Sequence, residues 1–392
     1  MWGAQGPTPA PAPPGAAGPA RALRAAIGLA SVLVATATVP RVVCGRPAGA
    51  YVAGEAEAQD ELARDVARAV LGQRELTFYH TGNERFDGQS AVAAYQMAAL
   101  GLGQIALDHP ERREGYLPAL RRAADRLADP RTLRYAARRW GQHAATRLGP
   151  GEGHAYAGYI NLGLGIVRAL DPETPHAALH DRLTRELERR LEASPTGLIE
   201  TYPGETFPPD VAAVAGSIGL HASATGRPPP AWLEAWAERF ARCAVDGSGY
   251  LVQQVKSGSC APVDGPRGSG TAIAAYFLSF AHRGLSRRLH EGLKAEGRRT
   301  LFGFAAVREY ARGVHGAGDV NAGPIIFGVS VGATGFALGS ARAHGDEAFF
   351  RELYRSAHLF GAPVEREGAR HFALGGALGN ALLLAMLTAR PG

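Results

Sequence analysis

Six short polar clusters recur along the chain, each just ahead of an apolar segment, and together they hold the groups that acid–base chemistry needs. In order they are Tyr79, His80, Asn83, Glu84, Arg85 and Asp87; Glu152, His154 and Tyr156; Glu200, Tyr202, Glu205 and Asp210; Asp264 and Arg267; His315, Asp319 and Asn321; and Arg366, Arg370 and His371. The first five contain carboxylates and the sixth is basic. A pair of carboxylates and a histidine suffices to move protons at a C–O bond. Helix capping is the competing explanation, since Asp and Asn cap helix starts and Glu suits a first turn. Tyr79, His154, Tyr202 and His371 are not capping types, so capping leaves part of the pattern unexplained.

The densest cluster is Glu200-Thr-Tyr-Pro-Gly-Glu-Thr-Phe-Pro-Pro-Asp210. Pro203-Gly204 forces a turn. Pro208-Pro209 cannot sit inside a helix but fits a helix start, which puts Asp210 in the first turn. His154, Tyr202, Glu205 and Asp210 are therefore the catalytic candidates. An imidazole at His154 could exchange protons near neutral pH, or be a satisfied core histidine. Tyr79, Asp87, Tyr156, Asp264, Asp319, Asn321 and His371 are the substrate-binding candidates.

The apolar segments that follow these clusters begin near Gly88, Ala155, Asp210, Gly268, Gly323 and Phe372, with steps of 67, 55, 58, 55 and 49 residues. A recurring step of that size marks a repeat architecture. Segments 91–107, 155–170, 211–220, 272–280, 325–341 and 372–387 are apolar almost all round, as buried helices are. Segments 55–71, 116–127, 178–191, 232–243, 285–295 and 349–359 carry an apolar stripe and a charged face, as half-exposed helices do. Six inner and six outer helices predict an all-α fold, an (α/α)6 toroid over residues 55–389. Only 250–255 and 301–307 read as short strands. Parallel inner helices would open their positive ends into one funnel, and the loops entering them would converge there.

Of 51 glycines, many lie inside the apolar segments, among them Gly158, Gly163, Gly165, Gly216, Gly219, Gly332, Gly335, Gly339, Gly375, Gly376 and Gly379. Glycine costs a helix up to about 1 kcal/mol against alanine. Close approach of helices around a narrow axis would explain it; a biased codon composition is the alternative. The net charge is +6, yet Lys256 and Lys294 are the only lysines and the arginines are interleaved with Asp and Glu. No basic stripe with aromatic interleaving is present, so a nucleic-acid partner is not expected. A small-molecule or glycan substrate is, and a homo-oligomer stays open.

Residues 1–20 are Pro, Ala and Gly with no core-forming pattern, as in a disordered tail. Within 21–46, Arg21 and Arg24 precede an apolar run at 25–39, which reads as a signal peptide with Ala35 and Ala37 at a cleavage site, or as an uncleaved membrane anchor. The chain is expected to be exported or held at a membrane through that segment. Cys243 and Cys260 could pair in an oxidising compartment or stay free. There is no metal-type Cys/His spacing, P-loop, dinucleotide fingerprint, HExxH or GxSxG, so neither metal nor cofactor is expected.

Gly153-His154 with the run 156–167 resembles the histidine-bearing inner helix of the linalool dehydratase-isomerase family, and 201–220 resembles that family's next inner helix with its lead-in loop. The resemblance covers about a third of the chain. It implies an (α/α)6 toroid that adds or removes water at an allylic alcohol, with His154 handling protons and Pro203 and Phe207 as framework. Where the family has two cysteines, this chain has Thr201 and Asp210. The chemistry would pass to Asp210, Glu205 or Tyr202, or the reaction would differ. The function expected is a dehydratase-type lyase or isomerase on an alcohol or isoprenoid. The alternative is a carbohydrate-active toroid, a glycosidase, polysaccharide lyase or epimerase using paired carboxylates. A third is a non-catalytic scaffold. An aromatic, polar funnel would favour sugar and an apolar one a terpenoid; only four tryptophans, Trp2, Trp140, Trp232 and Trp236, argue mildly against sugar.

Overall fold

A computed structural model describes residues 19–72, 84–140 and 154–390. An N-terminal helix α1 (Pro19–Gly45) and a short α2 (Ala48–Ala53) lead into α3 (Ala56–Leu71), α4 (Glu84–Asp108), α5 (Arg113–Ala128) and a short α6 (Arg134–Trp140). Then follow α7 (Ala155–Leu170), α8 (Ala177–Ala193), α9 (Pro208–Ala224), α10 (Trp232–Ala244), α11 (Gly268–Leu278) and α12 (Arg283–Gly297). The last three are α13 (Val331–Ala343), α14 (Glu347–Gly361) and α15 (Gly376–Leu387). The fold is all-α with small sheets in its connections.

Local chemistry sets the boundaries. Pro208 and Pro209 occupy the first positions of α9, where a missing N–H costs nothing. Ser330 and Asp346 cap α13 and α14 by accepting from the Ala333 and Phe349 amides.

The apolar helices pack in a closed cycle: α4 on α7, α7 on α9, α9 on α11, α11 on α13, α13 on α15, and α15 back on α4. They run parallel. Near their C-terminal ends Gly103 meets Ile166, Gly165 meets Leu220 and Gly101 meets Leu384; near their N-terminal ends Gly158 meets Val214 and Gly270 meets Pro209. The amphipathic helices pack outside: α3 against α4 and α15, α5 against α4 and α7, α8 against α7 and α9, α12 against α11 and α13, and α14 against α13. α10 instead lies against α8 and a strand. Buried polar groups also bridge the ring helices. Gln104 of α4 donates to the Ala385 carbonyl and Thr388, and accepts from the Tyr276 hydroxyl of α11.

The loops hold more β structure than the sequence predicts. β1 (Glu205–Thr206), β2 (Leu251–Lys256) and β3 (Pro262–Arg267) form one antiparallel sheet in that order. β4 (Arg298–Leu301), β5 (Phe304–Arg308), β6 (Ile325–Ile326) and β7 (Val329–Ser330) form a second, in the order β4-β5-β7-β6. β8 (Pro363–Arg366) and β9 (Ala369–Phe372) form a third. The expected strand 250–255 matches β2; 301–307 spans the turn between β4 and β5. Two helix starts move. The fifth apolar helix begins at Val331 rather than near 325, because Ile325-Ile326 and Val329-Ser330 pair across a Phe327-Gly328 turn. The sixth begins at Gly376, because Phe372 ends a hairpin strand.

Cys243 at the end of α10 is disulfide-bonded to Cys260 between β2 and β3. α1 is a single exposed helix over most of its length, and its C-terminal end packs on α14.

Candidate functional site

The N-terminal ends of the ring helices gather most of the chemistry. In the N-terminal half of each helix at least one position stays partly exposed, among them Ala93, Tyr159, Asp210, Ile273, Phe336 and Leu378. These positions all lie toward the same end of the ring.

The loop into α9 is stiff for local reasons. Tyr202, Pro203, Gly204 and Glu205 form a tight turn in which the Glu205 amide bonds the Tyr202 carbonyl at 2.8 Å. Gly204 takes the left-handed conformation (φ 77°) that such a turn demands after proline. Glu205 and Thr206 then pair with Lys256 and Val255.

Four tyrosines cluster at this turn. The buried Tyr202 ring lies 6.0 Å from Tyr135 and 5.8 Å from Tyr156, and Tyr156 lies 6.4 Å from Tyr159. These are ordinary separations for favourable aromatic pairs. Gln89 of α4 donates to the Tyr202 hydroxyl at 2.9 Å. Tyr159 donates to Asp210 Oδ1. Burial, and next the Asp210 charge, holds the Tyr159 phenol well above its usual range. Burial does the same for Tyr156 and Tyr202, so these phenols stay protonated. The Arg139 guanidinium lies 5.6 Å from the Tyr202 ring centre and is paired with Glu205.

A second polar group lies at the start of α11, beside Pro209. Arg267 is held between Asp264 at 2.7 Å and Asp319 at 2.9 Å, and sits 5.5 Å from the Tyr310 ring centre. Glu309 is fully buried; it accepts from the Ser269 hydroxyl at 2.6 Å and the Ser269 amide at 3.2 Å, and burial pushes its carboxyl up. The Gln253 side chain reaches the Gly270 position of α11, where an added Cβ would stand 2.5 Å from its Oε1.

Tyr202 thus meets Tyr156, which reaches Asp210 through Tyr159, with Glu205 on the turn of Tyr202, and Asp264 and Asp319 meet through Arg267. The remaining predicted residues have these surroundings. His154 precedes α7, but its ring meets Arg190 of the outer helix α8, 3.1 Å from Nδ1. Burial, and next the Arg190 charge, pushes its imidazole down to about 4, so it is neutral at neutral pH. His371 lies on β9 near Asp65 of α3. Asn321 is exposed, and Asp87 is half-buried near the start of α4. Tyr79 lies outside the described residues.

The sequence pattern missed Tyr135, Tyr159, Gln89, Arg139, Gln253 and Glu309. Tyr159 and Gln89 stand inside apolar helices, where the only signal is a polar residue on an otherwise apolar face. Among the described residues, no group of three His, Cys, Asp or Glu side chains could hold a metal ion.

No protein-family model matches the chain, and no curated protein matches it. Among solved structures, one described as a polysaccharide lyase aligns with 79% of this chain and 100% of its own, at a TM-score of 0.34 and 12% identity. That likeness is too distant to carry a functional argument.

Proposed function

We propose that the closed ring of helices with its outer partners is an (α/α)6 toroid, and that it is a carbohydrate-active enzyme breaking a C–O bond by acid–base chemistry. The observation that carries this reading is the Tyr159–Asp210 pair, partly exposed at the funnel end and set in a cluster of tyrosines. Tyrosine rings offer flat apolar faces with polar rims, which suits the faces and hydroxyls of a sugar ring. Gln89, Glu205 with Arg139, and Arg267 with its two aspartates supply hydrogen-bonding groups around it.

In this reading Asp210 is the acid–base carboxylate. Tyr159 holds its orientation and can pass a proton. Glu205 is the second carboxylate and Tyr202 a sugar platform. Tyr156, Asp264 and Asp319 support binding. His154, neutral and on Arg190, positions the start of α7. The disulfide and the apolar N-terminal helix support an exported or membrane-held protein.

One observation favours a second reading, a dehydratase or isomerase of the linalool type. Ile273, Phe336 and Leu378 give the other side of the ring partly exposed apolar groups. Such a wall would suit the hydrocarbon part of an isoprenoid alcohol.

The deciding experiment incubates the purified chain with a panel of neutral and acidic polysaccharides and, separately, with allylic terpenoid alcohols. New reducing or unsaturated sugar ends, abolished by Asp210→Asn, support the first reading. Water loss or gain on the alcohols alone replaces it with the second. Inertness of a folded chain on both panels rejects both.

A further inference from the structure

The N-terminal helix leaves the body at the same end as the funnel. Inner helices begin at the funnel end, so the antiparallel outer helix α14 finishes there, and the Leu374 amide just before α15 bonds the Gly361 carbonyl that ends α14. α1 runs antiparallel to α14. Gly49 lies against Arg351, Gly45 against Arg355, and Arg41 against Gly303, whose carbonyl accepts from Arg355 at 2.8 Å. Moving back along α1 therefore means moving toward the end of α14 and past it. From Gly361 back to Arg355 the outer helix rises only about 9 Å, whereas α1 from Arg41 back to Pro19 rises about 33 Å. Most of α1 thus projects beyond the funnel end.

Its chemistry is that of a membrane segment. Residues 25–40 carry no charge and are bracketed by Arg24 and Arg41. They rise about 24 Å, and arginines at both ends can extend their heads to the headgroups across a hydrocarbon core of about 30 Å. Leu23, Ile27, Leu29, Val32, Val34 and Val39 are all exposed.

The surface beside the emerging helix shares that character. Leu301 and Phe302 form the tip of the β4–β5 hairpin that touches Arg41, and they are 67% and 65% exposed. Phe360 closes α14 at 71% exposure, and Phe327 tips the β6–β7 hairpin just before α13 at 98%. Phe302 and Phe327 are also both left-handed, at φ 50° and 51°, each followed by a left-handed glycine. Two-residue turns of that kind favour Asn or Asp at the first position, and a bulky residue there is strained. Two hairpins that place phenylalanine where asparagine folds more easily, and aim it at solvent, indicate a role outside the folded body.

We propose that the funnel end faces a lipid bilayer: α1 spans it, and Phe302, Phe360 and Phe327 sit in its interfacial layer. The occupant of this apolar surface is the membrane that α1 enters, because the Arg41 side chain of the helix lies against Gly303 at the hairpin tip, beside the exposed Leu301 and Phe302. This orientation stands independently of the reaction the funnel carries out.

The test uses the full chain in vesicles of phosphatidylcholine and phosphatidylglycerol. In a Cys44→Ala background that keeps the Cys243–Cys260 bond, single cysteines replace Phe302, Phe360 or Ser223 and carry an environment-sensitive fluorophore. Ser223, exposed at the far end of α9, is the control. Expected are a blue shift and quenching by lipid-borne spin labels at 302 and 360, and neither at 223. Leu301→Cys replaces Phe302→Cys should that variant misfold. Unquenched labels at 301, 302 and 360 on vesicle-bound protein would overturn the proposal. So would quenching at 223, or a full chain that does not bind vesicles.

Discussion

Tyr159 and Asp210, 51 residues apart, are joined by a hydrogen bond from phenol to carboxylate that ties the start of α7 to the first turn of α9. The bond is local to the site: both side chains are partly exposed, and both sit on helices that are otherwise buried there. Asp210→Asn is expected to lower kcat by about 100-fold or more, the range for losing a general acid or base. Tyr159→Phe should lower kcat more than it raises KM, because it removes a positioning bond and leaves the ring. Steady-state kinetics on the substrate identified in the panels would check both. Wild-type rates in both folded variants would remove this pair from the site.

The ring glycines divide into two classes with opposite expected effects. An added Cβ at Gly216 would stand 2.4 Å from the Phe277 carbonyl oxygen, and at Gly219 2.2 Å from that of Phe280. Backbone cannot yield there, so Gly216→Ala and Gly219→Ala should each cost about 1–3 kcal/mol, as overpacking does. Gly335 on α13 has nothing within 4 Å. Gly335→Ala should be neutral or stabilise by up to about 1 kcal/mol, since alanine lowers the entropy of the unfolded chain. Urea titration of the three variants would test the contrast; equal effects would mean that close helix approach is not why glycine stands at 216 and 219.

The alternation of all-apolar and amphipathic segments was enough to locate the twelve ring and outer helices, because the outer ones keep an apolar stripe at the 3.6-residue period and the ring ones are apolar runs too long for strands. It failed at 325–330 and 372–375. There, short runs such as Ile325-Ile326-Phe327-Gly328-Val329 are as apolar as a buried helix, and only the glycine turn separates the two cases. Of the candidate site, the polar loop into α9 with Tyr202, Glu205 and Asp210 was legible, because polar residues there interrupt an apolar pattern. The site was not legible at Tyr159, whose partner is a whole repeat away, nor at His154, whose orientation toward Arg190 depends on how α8 packs. Sequence left the pairing of Cys243 and Cys260 open because spacing alone does not set whether β2 and β3 return the chain to α10.

That pairing carries its own prediction. The bond closes a loop of 17 residues between the end of α10 and the β2–β3 turn. Loops of that size are constrained by about 3 kcal/mol in the unfolded chain. Reduction, or the double replacement Cys243→Ala with Cys260→Ala, is expected to lower Tm by a few degrees in a chain of this length. An unchanged Tm after verified reduction would show that the loop is held by its strand pairing alone.

The buried histidines make stability depend on pH in a defined window. His180 of α8 is fully buried, with its ring 4.6 Å from His221 of α9. Burial, then the charges of His221 and Arg168, push its imidazole down to about 3. His154 and His344 are each pushed down to about 4, chiefly by burial. A histidine whose folded value lies below the unfolded value of about 6.5 refuses a proton that the unfolded chain accepts. Its contribution is therefore fully present above about pH 6.5 and is lost as pH falls toward the folded value. His180 should cost on the order of 1 kcal/mol of stability per pH unit across that window. Asp181 and Glu186, pulled down to about 2 despite the opposing cost of burial, change stability in the same direction but mainly below the unfolded carboxylate range near pH 4. Unfolding free energy measured at pH 7, 6, 5 and 4.5 should fall steadily, and His180→Leu should fall less steeply than wild type. A flat profile between pH 7 and 5 would mean that these imidazoles take up protons without opening the helix pair that buries them.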